Sequence, residues 1–150
     1  MTDIISPEAR SRNMSAIRSK NTKPEVFLRH LLFVRGYRYR NNVSYIIGHP
    51  DLYMAKYHAA IFVNGCFWHR HPGCKYAYTP KSNVEFWNKK FEANVTRDKT
   101  VNESLKKSGI RQIVIWECTV KKMRYNEDVR NQTLKKIEDF LQGSEQFLEL

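Results

Sequence analysis

The strongest constraint in this chain is a set of four soft metal ligands split between two distant segments. Cys66, His71 and Cys74 share one short stretch, Cys66-x4-His71-x2-Cys74, and Cys118 follows the apolar run Ile113-Val114-Ile115-Trp116. Thiolate sulfur and imidazole nitrogen suit Zn2+, and a complete Cys3His set leaves no position for water, which is the pattern of a structural zinc site. Pro72-Gly73 supplies a turn between ligands. A fold that uses all four must carry the 66–74 loop to the end of the strand before Cys118. The competing reading makes Cys118 a small core residue and the other ligands incidental, since buried free cysteines are common.

The segments around these ligands read as an alternation of helices and strands. Thr22-Lys23-Pro24-Glu25 is a capping-box pattern, and Leu28, Leu31, Leu32 and then Gly36 follow as apolar face and stop, predicting a helix over about 23–35. Tyr37-Arg38-Tyr39-Arg40 alternates like a half-exposed strand. Residues 51–54 and 58–64 read as two strands joined by a short turn, the second apolar enough to be central in a sheet. Ser82-Asn83-Val84-Glu85 resembles a second capping box and opens a long charged helix, with a break expected near Asn94 and a stop at Gly109. Residues 111–118 predict a buried strand and 127–141 a closing helix. This order favours an α/β three-layer sandwich around a central mixed sheet, in a single domain over 1–150. About 1–20 would be a basic N-terminal arm, with a helix start at Ser6-Pro7, and about 143–150 a C-terminal tail.

Charge narrows the partner. The chain has 26 Lys and Arg against 15 Asp and Glu, a formal net charge of +11, which favours polyanions such as nucleic acid without naming one. No apolar run approaches the roughly 20 residues of a membrane span. The first residues lack the basic-then-apolar order of a secretory signal, so a reducing, cytoplasmic setting is expected, in which disulfides are rare.

One acid is well placed for phosphate chemistry. Gly48-His49-Pro50-Asp51-Leu52 puts a carboxylate at the head of a strand, where it can hold Mg2+ against a scissile phosphate, and the next strand leads into Asn64-Gly65-Cys66-Phe67-Trp68-His69. Pro-Asp alone is a weak signal. With Arg10-Ser11-x-Asn13-Met14, Thr22-x-x-Glu25, Gly65-Cys66-Phe67-Trp68-His69-x-His71, Phe86-Trp87, Asn94-x-x-Arg97-Asp98 and Trp116-Glu117-Cys118, in order and at near-family spacing, the sequence resembles the very-short-patch repair endonucleases, a branch of the restriction-endonuclease-like fold.

The resemblance implies Mg2+-assisted hydrolysis of one DNA strand. It implies that Asp51 bridges the catalytic ions, that the main-chain carbonyl of Val63 helps bind one, that Glu25 acts through water, and that His69 assists by proton transfer or hydrogen bonding. It implies that Phe67, Trp68 and Met14 wedge into the base stack beside a mispair, and that Lys90 and Asn94, four apart on one helical face, approach the mispaired bases. Phe67 and Trp68 have core packing around the metal loop as their competing reading. One departure stands out: the family usually carries histidine where this chain has Asn64, and an asparagine cannot take up a proton.

The implied substrate is double-stranded DNA bearing a T:G mismatch, cut by a monomer, with MutL-type repair proteins as a candidate partner. Three rivals remain open at this point: a catalytically weakened mismatch-binding relative, a defence nuclease that needs no mismatch, and a non-enzymatic zinc module.

Overall fold

A computed structural model describes residues 21–150. The N-terminal arm, its helix start at Ser6 and Met14 lie outside the described residues. The elements are α1 (Lys23–Val34), β1 (Arg40–Asn41), β2 (Leu52–Met54), a 3-10 turn (Ala55–Tyr57), β3 (Ala59–Asn64), α2 (Val84–Lys107), β4 (Arg111–Trp116), α3 (Glu117–Tyr125), α4 (Glu127–Gln142) and β5 (Phe147–Glu149). The strands form one sheet in the order β1-β2-β3-β4-β5. The β1–β2 and β2–β3 pairs are antiparallel, whereas β3–β4 and β4–β5 are parallel.

Strand alternation explains the layers. Ile61 and Ala59 of β3, Ile113 and Ile115 of β4, and Leu52 and Met54 of β2 turn to one face, where they pack with Leu28 and Leu32 of α1, Val120 and Met123 of α3, and Leu134 and Ile137 of α4. On the opposite face Tyr53 and Phe62 meet Val101 and Leu105 of α2. The result is a three-layer α/β sandwich around a mixed sheet. Burying each of these aliphatic side chains contributes about 1.5–3 kcal/mol, so the two faces fix β3 as the central strand.

Several local expectations change. Thr22 caps α1 through Glu25 N–H (3.4 Å), but the Glu25 carboxylate accepts the backbone N–H of Asn21 (2.8 Å) instead of completing the box on Thr22. The second box does not form: the helix starts at Val84, so its N-cap is Asn83 and not Ser82, and Asn83, at φ 54, makes no side-chain cap bond. Helix α2 runs unbroken through Asn94. The strand expected at 37–40 shrinks to Arg40–Asn41, since Tyr37 and Tyr39 pack against the core as loop residues. Cys118 falls in the first turn of α3, an element the sequence reading missed, and not at the end of β4. Residues 147–149, expected within a tail, pair in parallel with β4.

The turn before β2 determines where Asp51 emerges. Gly48 (φ 82) and His49 (φ 50) are both left-handed, and Asn42 N–H and Val43 N–H close the loop onto the carbonyls of Asp51 (3.0 Å) and Pro50 (3.1 Å). A Cβ on Gly48 would lie 2.5 Å from Val101 Cγ1 and 3.1 Å from Phe62. Gly48→Ala therefore combines left-handed strain with overpacking against α2, and is expected to destabilise the protein by about 2–4 kcal/mol, read as a lower urea midpoint at unchanged slope.

Candidate active site and metal centre

Two carboxylates from distant parts of the chain meet at the head of β2. Asp51 Oδ2 accepts the backbone N–H of Val63 on the neighbouring strand (2.7 Å). Glu25, in the first turn of α1, is only 4% exposed, and its Oε2 also accepts from Arg29 (3.2 Å). Arg29 reaches Asn42 Oδ1 as well (3.5 Å), while its buried Nε has no partner among the described residues. Burial pushes the Asp51 carboxyl up to about 7, opposed by the Val63 N–H and Arg29 and reinforced by the nearby Glu25. Two acids that close together, withdrawn from water, are a poor arrangement for an empty core and a good one for a hard cation.

The four soft ligands converge as the sequence requires. One ligand atom each from Cys66, His71, Cys74 and Cys118 lie within 4.8 Å of one another, a group that can hold a metal ion. Cys118 N–H donates to Cys66 Sγ (3.4 Å), and Cys118 Sγ lies 3.4 Å from His71 Nδ1. Starting Cys118 on α3 is what aims that N–H at the other thiol. Burial drives the Cys66 thiol up to about 12, whereas N–H donation from Tyr76 holds Cys74 below the usual thiol range. Burial also lowers His71, keeping its ring neutral and able to donate a lone pair. Thiols packed this closely cannot all ionise unless a cation offsets them, so the donor set fits a metal. Behind it, Trp116 stacks on His71 (4.3 Å, 9°) and donates Nε1–H to Glu149 of β5 (2.7 Å).

Helix α2 docks the loop between the two sites through a stripe in which the sequence reading gave a role to Asn94 alone, and that role toward DNA and not toward the loop. Trp87, Phe91, Asn94 and Asp98 recur at helical spacing on one face. The Phe67 ring lies 5.1 Å from Trp68, 5.6 Å from Trp87, 5.2 Å from Phe91 and 5.1 Å from Tyr78. Asn94 Nδ2 donates to the Trp68 carbonyl (2.9 Å), and one turn later Asp98 Oδ2 meets His69 Nδ1 (2.8 Å). Phe67 and Trp68 are thus half-buried in an aromatic cluster, and Asn94 is engaged with the loop. Lys90 is exposed on α2.

Arg70 closes the loop from inside, donating to the carbonyls of Ala77 and Tyr78 (both 2.8 Å) with its guanidinium 3.9 Å over Phe91. Asn64, at the end of β3, is buried, and its backbone is paired in register with Trp116. The clue to the α2 stripe was available as aromatic and polar residues at four-three-four spacing, but it points nowhere until the partner loop is known.

Comparison with known proteins agrees with this geometry. The family model described as DNA mismatch endonuclease Vsr matches residues 2–75. The type II nicking enzyme V.NmeAIP of Neisseria meningitidis serogroup A is 41% identical over 139 residues, spanning 93% of this chain and 99% of that protein. The type II nicking enzyme V.XorIIP of Xanthomonas oryzae pv. oryzae is 43% identical over 118 residues, 79% of this chain and 86% of its own length. The DNA mismatch endonuclease Vsr of Escherichia coli K12 is 33% identical over 144 residues, 95% of this chain and 90% of that protein. Near-complete coverage at these identities, joined to a mixed sheet with helices on both faces, makes this chain a DNA endonuclease of restriction-endonuclease-like fold that belongs to the DNA mismatch endonuclease Vsr family.

Proposed function

We propose that this endonuclease nicks one strand of duplex DNA beside T:G mispairs left by deamination of 5-methylcytosine, using Mg2+. The observation that carries the reading is the pair of carboxylates, half-buried Asp51 and buried Glu25, gathered beside Val63 at the head of β2. The relatives' names supply strand nicking and mismatch recognition.

In this reading Asp51 and the Val63 carbonyl hold Mg2+ and Glu25 contributes through water. When bound, the cation activates water and offsets charge on the departing oxygen. The remaining work belongs to the chain. With its Nδ1–H donated to Asp98, His69 has Nε2 left to accept a proton and, once protonated, to donate to a phosphate oxygen. Cys66, His71, Cys74 and Cys118 would hold Zn2+ and so fix the loop from which Phe67 and Trp68, with Met14, enter the base stack, while Lys90 and Asn94 face the mispair. No helix of the described residues is long and apolar enough to cross a membrane, in keeping with action on DNA in the cytoplasm. We further propose that the chain acts as a monomer and that MutL-type proteins are its repair partners.

A second reading, a weakened mismatch binder, is favoured by Asn64, which offers a carboxamide where a protonatable ring would serve as base. Restoring that ring by Asn64→His is expected to raise the single-turnover nicking rate at least tenfold, within the roughly 10²–10⁴ span of general acid–base effects. Equal rates for the two proteins would remove Asn64 from the mechanism. The test of function itself is an oligonucleotide set carrying every mispair in varied flanks, with matched duplex and Asp51→Ala as controls. Nicks confined to T:G duplexes are expected. Equal cutting of matched DNA would point to a defence nuclease, and binding without cutting to the weakened relative.

A further inference from the structure

We propose that Lys75 and Lys121, gathered on the ring of Tyr76, form a contact site for DNA backbone phosphate beside the Cys3His centre and outside the cutting site. Lys75 Nζ lies 5.2 Å and Lys121 Nζ 5.1 Å from the centroid of the same tyrosine ring, and Lys121 also donates to the Tyr76 hydroxyl (3.4 Å). Both lysines are exposed, and neither has an ion-pair partner among the described residues. Glu117, one turn before Lys121 on α3 and the expected neutralising neighbour, instead lies against Gly65. Each ammonium group lies within 5.2 Å of the same ring centroid with no carboxylate paired to it, so an anion at this corner is attracted by both.

The Tyr76 side of the platform is braced by hydrogen bonds although it belongs to no helix or strand, and Lys121 is carried by α3. Tyr76 N–H donates to Cys74 Sγ, Ala77 N–H to the Cys74 carbonyl (3.0 Å), and Arg70 grips the next two carbonyls. Lys121 stands one turn beyond Cys118, so both cations are tied to ligands of the same centre. Phe67 directly follows Cys66, so the aromatic cluster and this corner share one loop, and in the proposed path a duplex runs from the first to the second. A backbone phosphate is the anion such a path presents, and a contact of this kind positions DNA without reading sequence.

This inference rests on DNA binding and not on the mismatch reading. The test is equilibrium binding of matched and T:G duplexes as a function of salt, with Ca2+ replacing Mg2+, for the wild type and for K75Q/K121Q. The double variant is expected to lower the magnitude of the log Kd against log salt slope by about 1–2, at roughly 0.9 per phosphate contact, and to weaken both duplexes by the same factor. K75R/K121R should keep the wild-type slope. K135Q/K136Q, which removes two exposed lysines from α4, should also leave it unchanged. A slope unaltered in K75Q/K121Q, or a loss confined to the T:G duplex, overturns the proposal. The slope of the wild type alone reports whether the protein grips DNA, so failure of the broader reading is seen separately.

Discussion

Asp51→Asn is expected to yield a protein that still binds duplex DNA, no longer nicks it, and is more stable than the parent at neutral pH when free of metal. On the proposed function, loss of the carboxylate removes the anchor for the divalent cation, an effect worth several kcal/mol in the transition state, so nicking should fall by at least about 10³-fold. The amide oxygen can still accept the Val63 N–H, which leaves the entry to β2 intact.

The stability gain has a definite pH signature. Asp51 is raised from 3.8 to about 7 in the fold, chiefly by burial, so between those values the folded state holds a proton that the unfolded state releases. Stability contributed by this group is therefore present at low pH and lost as pH rises from about 4 through about 7. Asparagine carries no such penalty. The variant and the parent should match near pH 3.5 and diverge by on the order of 2–4 kcal/mol by pH 8, measured by denaturant unfolding in chelator-washed buffer with the Cys3His metal retained. Added Mg2+ should stabilise the parent and not the variant. If the two unfolding curves stay superimposed across that range, Asp51 is not the raised acid described here, and its place in the mechanism is lost with it.

How far the sequence disclosed this arrangement depends on whether the signal was local. Strands β3 and β4 were legible because apolar runs of that length must be covered on both faces, and α1 was legible because Thr22, Pro24 and Gly36 punctuate it. Helix α3 was not. It begins at Glu117 with no linker after β4, and Val120 and Met123 are its only buried apolar residues, too few to establish a period. Strand β5 is equally silent, since Phe147-Leu148-Glu149 pairs only because the β4 edge is open to receive it. The metal centre was legible as a ligand count, although the role of α3 in aiming Cys118 was not. Glu25 and Asp51 could be joined only by resemblance, because their meeting depends on α1 packing across the sheet. Asp98 shows the same limit: a lone acid on a charged helix reads as solvated until His69 is seen against it.

Removing a metal from the Cys3His set is expected to have the other large effect, and to reach the 65–79 loop before the core. Cys66→Ser alters a ligand that is 2% exposed and accepts the Cys118 N–H, so the remaining soft atoms lose both a partner and a reason to stay together. Metal binding by such sets is worth about 10–16 kcal/mol in peptides that fold only around it. Here two apolar clusters apart from the ligands also hold the sheet, so only part of that energy should reach global stability. A loss of about 4 kcal/mol would lower Tm by about 8–16 °C for a domain of this size. Local opening should come first, because residues 65–79 contain no helix or strand and are held chiefly by the metal ligands, Arg70 and the α2 stripe. Once the ligands part, Phe67 and Trp68 leave Trp87 and Phe91, and tryptophan emission should change at temperatures where far-ultraviolet circular dichroism is still native. Metal analysis, the two melting curves and the nicking rate, measured on one preparation, separate the outcomes. A protein lacking the metal but unchanged in all three would make the four ligands incidental, and the loop would then owe its shape to aromatic packing on α2 alone.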